Sequence, residues 1–240
     1  HSDHVNRHAL AHLRRRHIPL FAHARHFDAL AGLLEFAPLA KAGLTRPFDA
    51  EAAFAILLGV ECRPVAVPHD ADPTFAYRFD FTDANTGHTW ALGYASDVGC
   101  PTDELVAAFA GVDVLALEYN HDVRMQRASR RPKLLIDRVL GDRGHLSNVQ
   151  AAEVTRAIAA AGCVRSLVQL HLSRDCNTVE LAAAAGRAAV PRANVVTATQ
   201  AIPAAPVPLV PRAPRRIAVG VPSVAKPPRY AASLWGDPVE

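Results

Sequence analysis

Twelve histidines stand among 240 residues, and seven of them precede residue 27. That density points first to metal or proton chemistry, because a neutral imidazole binds divalent ions and titrates near pH 6.5. His1-Ser2-Asp3-His4 places two imidazoles and a carboxylate within four residues. A strand end turning into a helix can bring such neighbours to one point. Further polar groups recur along the chain: His69-Asp70-Ala71, Asp97 within Tyr-Ala-Ser-Asp-Val-Gly, Asn120-His121-Asp122, Gly144-His145-Leu-Ser-Asn148 and His171-Leu-Ser. Each follows a predicted strand or occupies a connecting loop, where an α/β fold gathers its ligands. Histidine and carboxylate donors suit zinc or manganese about equally.

The elements that position these groups follow from hydrophobic spacing. Residues 4–17 read as a helix, with His4, His8 and His12 along one side. His8 and His12 read as part of its solvated face. IPLFAH (18–23) reads as a buried strand, and residues 24–50 as helical and loop-like. Val60–Val67, Phe75–Phe81 and Thr89–Ala95 are β-prone runs separated by Asp-Pro and Asn-Thr-Gly turns. Pro101-Thr-Asp-Glu opens a helix, and VDVLALEY (112–119) reads as a buried strand. Helices follow near 122–129 and 132–140. Ser147-Asn-Val-Gln150 matches a capping box and starts another. VRSLVQL (164–170), a helix over 177–188 and VVTAT (195–199) complete a strand–helix–strand alternation, which implies a layered α/β domain.

Residues 201–240 differ in kind. They hold nine of the 18 prolines, five cations and two acids, a composition that predicts a flexible Pro/Ala-rich basic tail after a domain over 1–200. The net charge of +3 is compatible with an anionic substrate without requiring one. Cys62, Cys100, Cys163 and Cys176 are scattered and form no C-x-x-C pair, which excludes a zinc ribbon and fits a reducing, cytoplasmic setting. No apolar run approaches the roughly 20 residues needed to span a bilayer, so no membrane partner is expected.

The segments HDAD-P, SD-G, LEYNHD, GDRGHLSN and LHLS, in this order, resemble the metallo-β-lactamase superfamily, and more narrowly its YycJ-type branch, akin to phosphodiesterases and ribonuclease Z. The resemblance covers about residues 1–200. It implies an αβ/βα four-layer sandwich, here incomplete at its N-terminus, because His1 falls inside the His-x-His-x-Asp-His motif. It also implies two divalent ions, zinc or manganese. His1 and His69 would bind one and Asp3, His4 and His171 the other, with Asp97 bridging. Asp3 and His145 would be catalytic, His145 facing the substrate rather than a metal. Asn148 and Arg7 would contact phosphate, Arg7 standing where relatives carry glycine. Asn120, His121 and Asp122 would support the loop beneath.

The resulting expectation is a metal-dependent phosphodiesterase or nuclease acting on DNA or RNA; Arg14-Arg15-Arg16 and Arg130-Arg131 agree with such a partner. A small-molecule phosphodiester or thioester hydrolase is the alternative with the same metals. A metal-binding or interaction fragment without activity is the alternative from another class, and the 240 residues by themselves are expected to be inactive.

Overall fold

The computed structural model describes residues 5–49, 52–71, 73–162 and 164–208. They fall into two compact units that divide between Phe54 and Ala55.

In the first unit Asn6 caps α1 (Arg7–Arg16), its Oδ1 accepting the His8 amide. Arg14, Arg15 and Arg16 fill the last turn, where cations complement the helix dipole. Then come β1 (Leu20–His23), α2 (His26–Ala31), α3 (Phe36–Lys41) and β2 (Thr45–Phe48). Leu10, Leu30, Phe36, Leu39 and Leu44 are its buried core. Two expectations change here. β1 is half-buried; among the described residues it pairs with β2 alone, in a two-stranded parallel sheet. β2 itself lies inside the stretch read as helix and loop; Pro47, a poor strand former, hid it.

The larger unit carries β3 (Phe54–Leu57), β4 (Val60–Val67), β5 (Thr74–Thr82), β6 (Thr89–Ala95), β7 (Val114–Glu118), β8 (Ser166–Leu170) and β9 (Asn194–Thr197) as one sheet in that order. β4, β5 and β6 run antiparallel, while β6 to β9 are parallel. The helices are α4 (Asp103–Ala108), α5 (Val123–Ala128), α6 (Lys133–Leu140), α7 (Asn148–Ala160) and α8 (Val179–Ala189). Leu105 and Phe109, Val154 and Ile158, and Ala182 and Ala189 meet Leu115, Leu117 and Leu167 in one cluster. The helical residues therefore cover the sheet face on which those alternate strand positions lie. All five residues of β7 are buried, as its apolar run predicts for a strand covered on both sides.

Local signals read from sequence hold in this unit. Ser147 and Gln150 form the reciprocal capping box that starts α7. Asp83 accepts the amides of Asn85 and Thr86 in the β5–β6 turn, which Gly87 closes at φ 67°. Residues 201–208 are irregular; the remainder of the 201–240 segment lies outside the described residues. No helix among the described residues is long and apolar enough to cross a membrane.

Candidate metal centre

Strand direction decides where chemistry can gather. β4 is antiparallel to β5, and β5 to β6, so β4 points the same way as β6, β7 and β8. The residues just beyond or at their carboxyl ends therefore meet at one edge: His69 after β4, Asp97 after β6, Glu118 closing β7 and His171 after β8. His145 reaches the same edge from the loop between α6 and α7. Crevices at the carboxyl ends of strands are the usual ligand sites of α/β sheets.

Donor atoms of Asp97, Glu118, His145 and His171 all lie within 4.8 Å of one another. The His145 ring stands between those of His69 and His171, 5.1 Å from each by centroid. Asp97 Oδ1 lies 3.9 Å from His69 Nε2, 3.6 Å from His145 Nδ1 and 3.5 Å from His171 Nδ1. Asp97 and His171 both hold left-handed backbone, at φ 57° and 56°. Residues other than glycine reach that region at a cost of about 1–2 kcal/mol, and such positions concentrate at functional sites.

Glu118, which the sequence reading did not single out, organises this edge. It is fully buried, and its carboxylate accepts the backbone amides of Asp97 (3.1 Å), Val98 (3.1 Å) and Leu146 (2.8 Å). Its Oε2 also lies 3.3 Å from His145 Nδ1 and 3.0 Å from His171 Nδ1. Burial alone would raise its pKa, but hydrogen bonds from His145 and His171, with the Leu146 amide, hold it down to about 2. An ionised carboxylate only accepts, so each histidine donates its Nδ1–H to it, which turns Nε2 away from Glu118. With these donors around it, Glu118 is better placed to orient imidazoles than to take an ion itself, the arrangement in which a carboxylate fixes a ligating histidine.

His69 is fixed in the same manner. Its Nδ1 donates to the Gly144 carbonyl at 2.9 Å, and its Nε2 lies 3.1 Å from Asp70 Oδ1. The other Asp70 oxygen accepts Arg138 Nε at 2.5 Å. Burial raises the Asp70 pKa, yet the Arg138 hydrogen bond and nearby cationic groups leave it lowered overall. Gly144 has to be glycine: a Cβ there would fall 2.3 Å from the carbonyl oxygens of Arg138 and Val139. Gly99 meets the same limit, 2.1 Å from the Asp142 carbonyl oxygen. The Gly99 approach seats the loop carrying Asp97 against the loop carrying His145, and the Gly144 approach seats that second loop on the end of α6.

The remaining sequence-selected residues are distributed as follows. Asn120 donates from its side chain to the His171 carbonyl at 2.9 Å. Asp122 caps α5 through the Met125 amide. His121 is 1% exposed, with neither ring nitrogen hydrogen-bonded among the described residues, and burial lowers its pKa to about 4. Asn148 is 5% exposed; its Nδ2 and Oδ1 both pair with the Asn177 side chain. Asn177 also donates to the carbonyls of Tyr119 and Asn120 and so ties these loops together. His1, Asp3 and His4 lie outside the described residues, as does the Arg7 side chain.

In this mixed α/β sheet, imidazoles and carboxylates converging at the strand ends form a candidate divalent-metal site. Residues 1–172 match the family described as "Beta-lactamase superfamily domain", and the chain belongs to that family. Exodeoxyribonuclease YycJ of Bacillus anthracis is 29% identical over 183 residues, 76% of this chain and 64% of that protein, so the chain spans less than two thirds of this relative. The metallo-β-lactamase fold protein YhfI from Bacillus subtilis superposes with a TM-score of 0.55 at 16% identity, covering 82% of this chain and 71% of that one. Zn(2+)-bound PqqB from Methylobacterium extorquens gives 0.54 at 19% identity, covering 82% and 65%. The fold is thus the one the motif order implied.

Proposed function

We propose that the chain is the hydrolytic domain of a phosphodiesterase that trims DNA ends, with His69, Asp97 and His171 holding divalent metal and His145 acting on the substrate. By resemblance His1, Asp3 and His4 complete the ligand set for two ions, zinc or manganese. The donor set suits such ions in kind: imidazole nitrogens and a carboxylate oxygen gather at 3.5–3.9 Å, with Nδ1 of His69 held by the Gly144 carbonyl and Nδ1 of His171 by Glu118. When bound, a divalent ion supplies Lewis acidity toward a phosphoryl oxygen.

The chain's own groups then divide the work. His145 lies at the centre of the cluster, and its side chain is 19% exposed where that of His69 is 2%. It can therefore meet a substrate that His69 cannot. Its Nδ1 faces the Glu118 carboxylate at 3.3 Å, which orients the ring and turns Nε2 away, so that the imidazole can exchange a proton with water or with the leaving oxygen as water attacks phosphorus and the P–O bond breaks. Asp70 and Arg138 line the side near His69. The preference for DNA is supported by the exodeoxyribonuclease relative. Free thiols at Cys62, Cys100 and Cys176 support a reducing, cytoplasmic setting.

The observation that carries this reading is the His69–His145–His171 row built around Asp97 and Glu118. Its test is hydrolysis of bis-p-nitrophenyl phosphate and of end-labelled DNA by metal-loaded protein. Replacing His145 with Ala should lower both rates by roughly 10²–10⁴-fold while metal content stays constant. Rates within twofold of the parent, or no phosphodiester cleavage by the parent with zinc or manganese, would overturn it.

A further inference from the structure

Beyond the metal edge, one open cavity combines cationic and apolar lining. It measures about 500 Å³ and is lined by Met125, Ala128, Ser129, Arg130, Arg131 and Asp175. Its walls come from α5 with the segment after it, and from the loop after β8, which also carries His171. Both therefore leave the sheet at the edge where the histidines gather. α5 starts at Val123, capped by Asp122, and at 1.5 Å per residue its six residues span about 9 Å.

Three properties describe what would fit. The first is charge. Residues 123–133 contain Arg124, Arg127, Arg130, Arg131 and Lys133 and no acid, and Arg174 follows on the opposite loop. Second, the Arg131 guanidinium is already oriented. One nitrogen, Nη2, meets Asp175 at 2.8 Å, and its side chain is 29% exposed. A guanidinium has five N–H donors, so the pair with Asp175 fixes its direction while others stay available to a phosphate oxygen. Arg130 is exposed and adds a second cation. Third, the lining includes apolar surface at Met125 and Ala128. Met125 is the chain's one methionine, an adaptable thioether well suited to the flat face of a base.

We infer that this cavity is a nucleotide subsite for the part of a single-stranded nucleic acid that remains uncleaved, with phosphate on Arg130 and Arg131 and a base against Met125 and Ala128. A base inside a duplex is stacked and could not present its face to Met125, which commits the occupant to single-stranded nucleic acid. The inference deepens the phosphodiesterase reading and rests on it for the identity of the reaction, but binding at the subsite can be measured without any cleavage.

The probe is a short fluorescent oligothymidylate with a phosphorothioate backbone, which resists hydrolysis, titrated onto metal-loaded protein by anisotropy. The double variant Arg130→Gln/Arg131→Gln should weaken binding about tenfold or more. It should also lower the slope of log K against log salt by about 1.4, two cations at about 0.7 each for a single strand. Met125→Ala should weaken binding of the single strand and leave that of a duplex of equal length unchanged. Arg130→Gln alone, at an exposed position with no ion pair to break among the described residues, separates lost binding from lost folding. All three variants should hydrolyse bis-p-nitrophenyl phosphate within twofold of the parent. Unchanged oligonucleotide affinity in the double variant overturns the subsite, as does equal weakening of single strand and duplex by Met125→Ala. If the parent cleaves no phosphodiester, the proposed reaction fails, while the affinities still decide the subsite.

Discussion

Glu118 Oε2 lies 3.0 Å from His171 Nδ1, and the same oxygen accepts the Asp97 amide. One buried carboxylate thereby sets both the ring orientation of a candidate ligand and the backbone position of another. Glu118→Gln tests this coupling. The amide cannot accept from all the same donors, and its NH2 would face N–H groups. Metal affinity should fall by about 10–100-fold, the usual effect of losing a group that orients a ligating histidine. Equilibrium dialysis against zinc checks it; unchanged affinity together with unchanged turnover would remove Glu118 from the site.

Asp97 touches all three histidines of the row, whereas His171 stands at one end of it. Asp97→Ala should therefore lose most of the bound metal and His171→Ala chiefly one ion. Elemental analysis of protein purified in parallel reads the difference. Full occupancy in Asp97→Ala would show that the ions are held elsewhere.

The sequence made the strand-end polar groups visible because each sits in a short motif next to an apolar run. His69, Asp97, His145 and His171 could be picked by type and position, and the structure brings them to one edge. Glu118 could not be picked that way, since its partners arrive from loops 20 to 53 residues away and leave no local pattern. A signal was nonetheless present: Glu118 is the one charged residue of β7, a strand read as buried, and a buried charge requires partners. Asn177, which binds Asn148 and two backbone carbonyls, was missed for the same reason. β2 was missed because Pro47 stands inside it, and only its pairing with β1 reveals the strand.

Gly144→Ala addresses the loop rather than the ligands. Its Cβ would press on the last turn of α6, at 2.3 Å from two carbonyl oxygens, so the 141–145 loop must shift. Strain of this kind costs about 1–3 kcal/mol. The displacement also moves the carbonyl that holds His69 Nδ1, and His145 with it. Thermal melting should fall by several degrees, and turnover should fall further than the lost stability explains. A melt and turnover equal to the parent would show that the α6–loop packing is loose.

The last expectation concerns acid. His121 is 1% exposed with both ring nitrogens unpartnered among the described residues, and its pKa is lowered from 6.5 to about 4 by burial first, with His145 adding to the effect and Glu118 and Asp122 opposing it. The neutral ring is therefore the form the fold accepts. For a histidine whose folded pKa is depressed, its favourable contribution is fully present above the unfolded value near 6.5. It is lost progressively as pH falls from about 6.5 to about 4. A shift of that size corresponds to stability on the order of 3 kcal/mol. Urea unfolding at pH 7, 6, 5 and 4.5 should show parent stability declining through this window. His121→Gln has no ring to protonate and should decline less steeply, although it starts from lower stability because of the altered packing. Both proteins are to be compared with metal saturating and with metal chelated, since ligand protonation releases metal over the same range. If the two slopes agree under both conditions, His121 titrates no differently in the folded and unfolded chains, and its buried ring has found a partner.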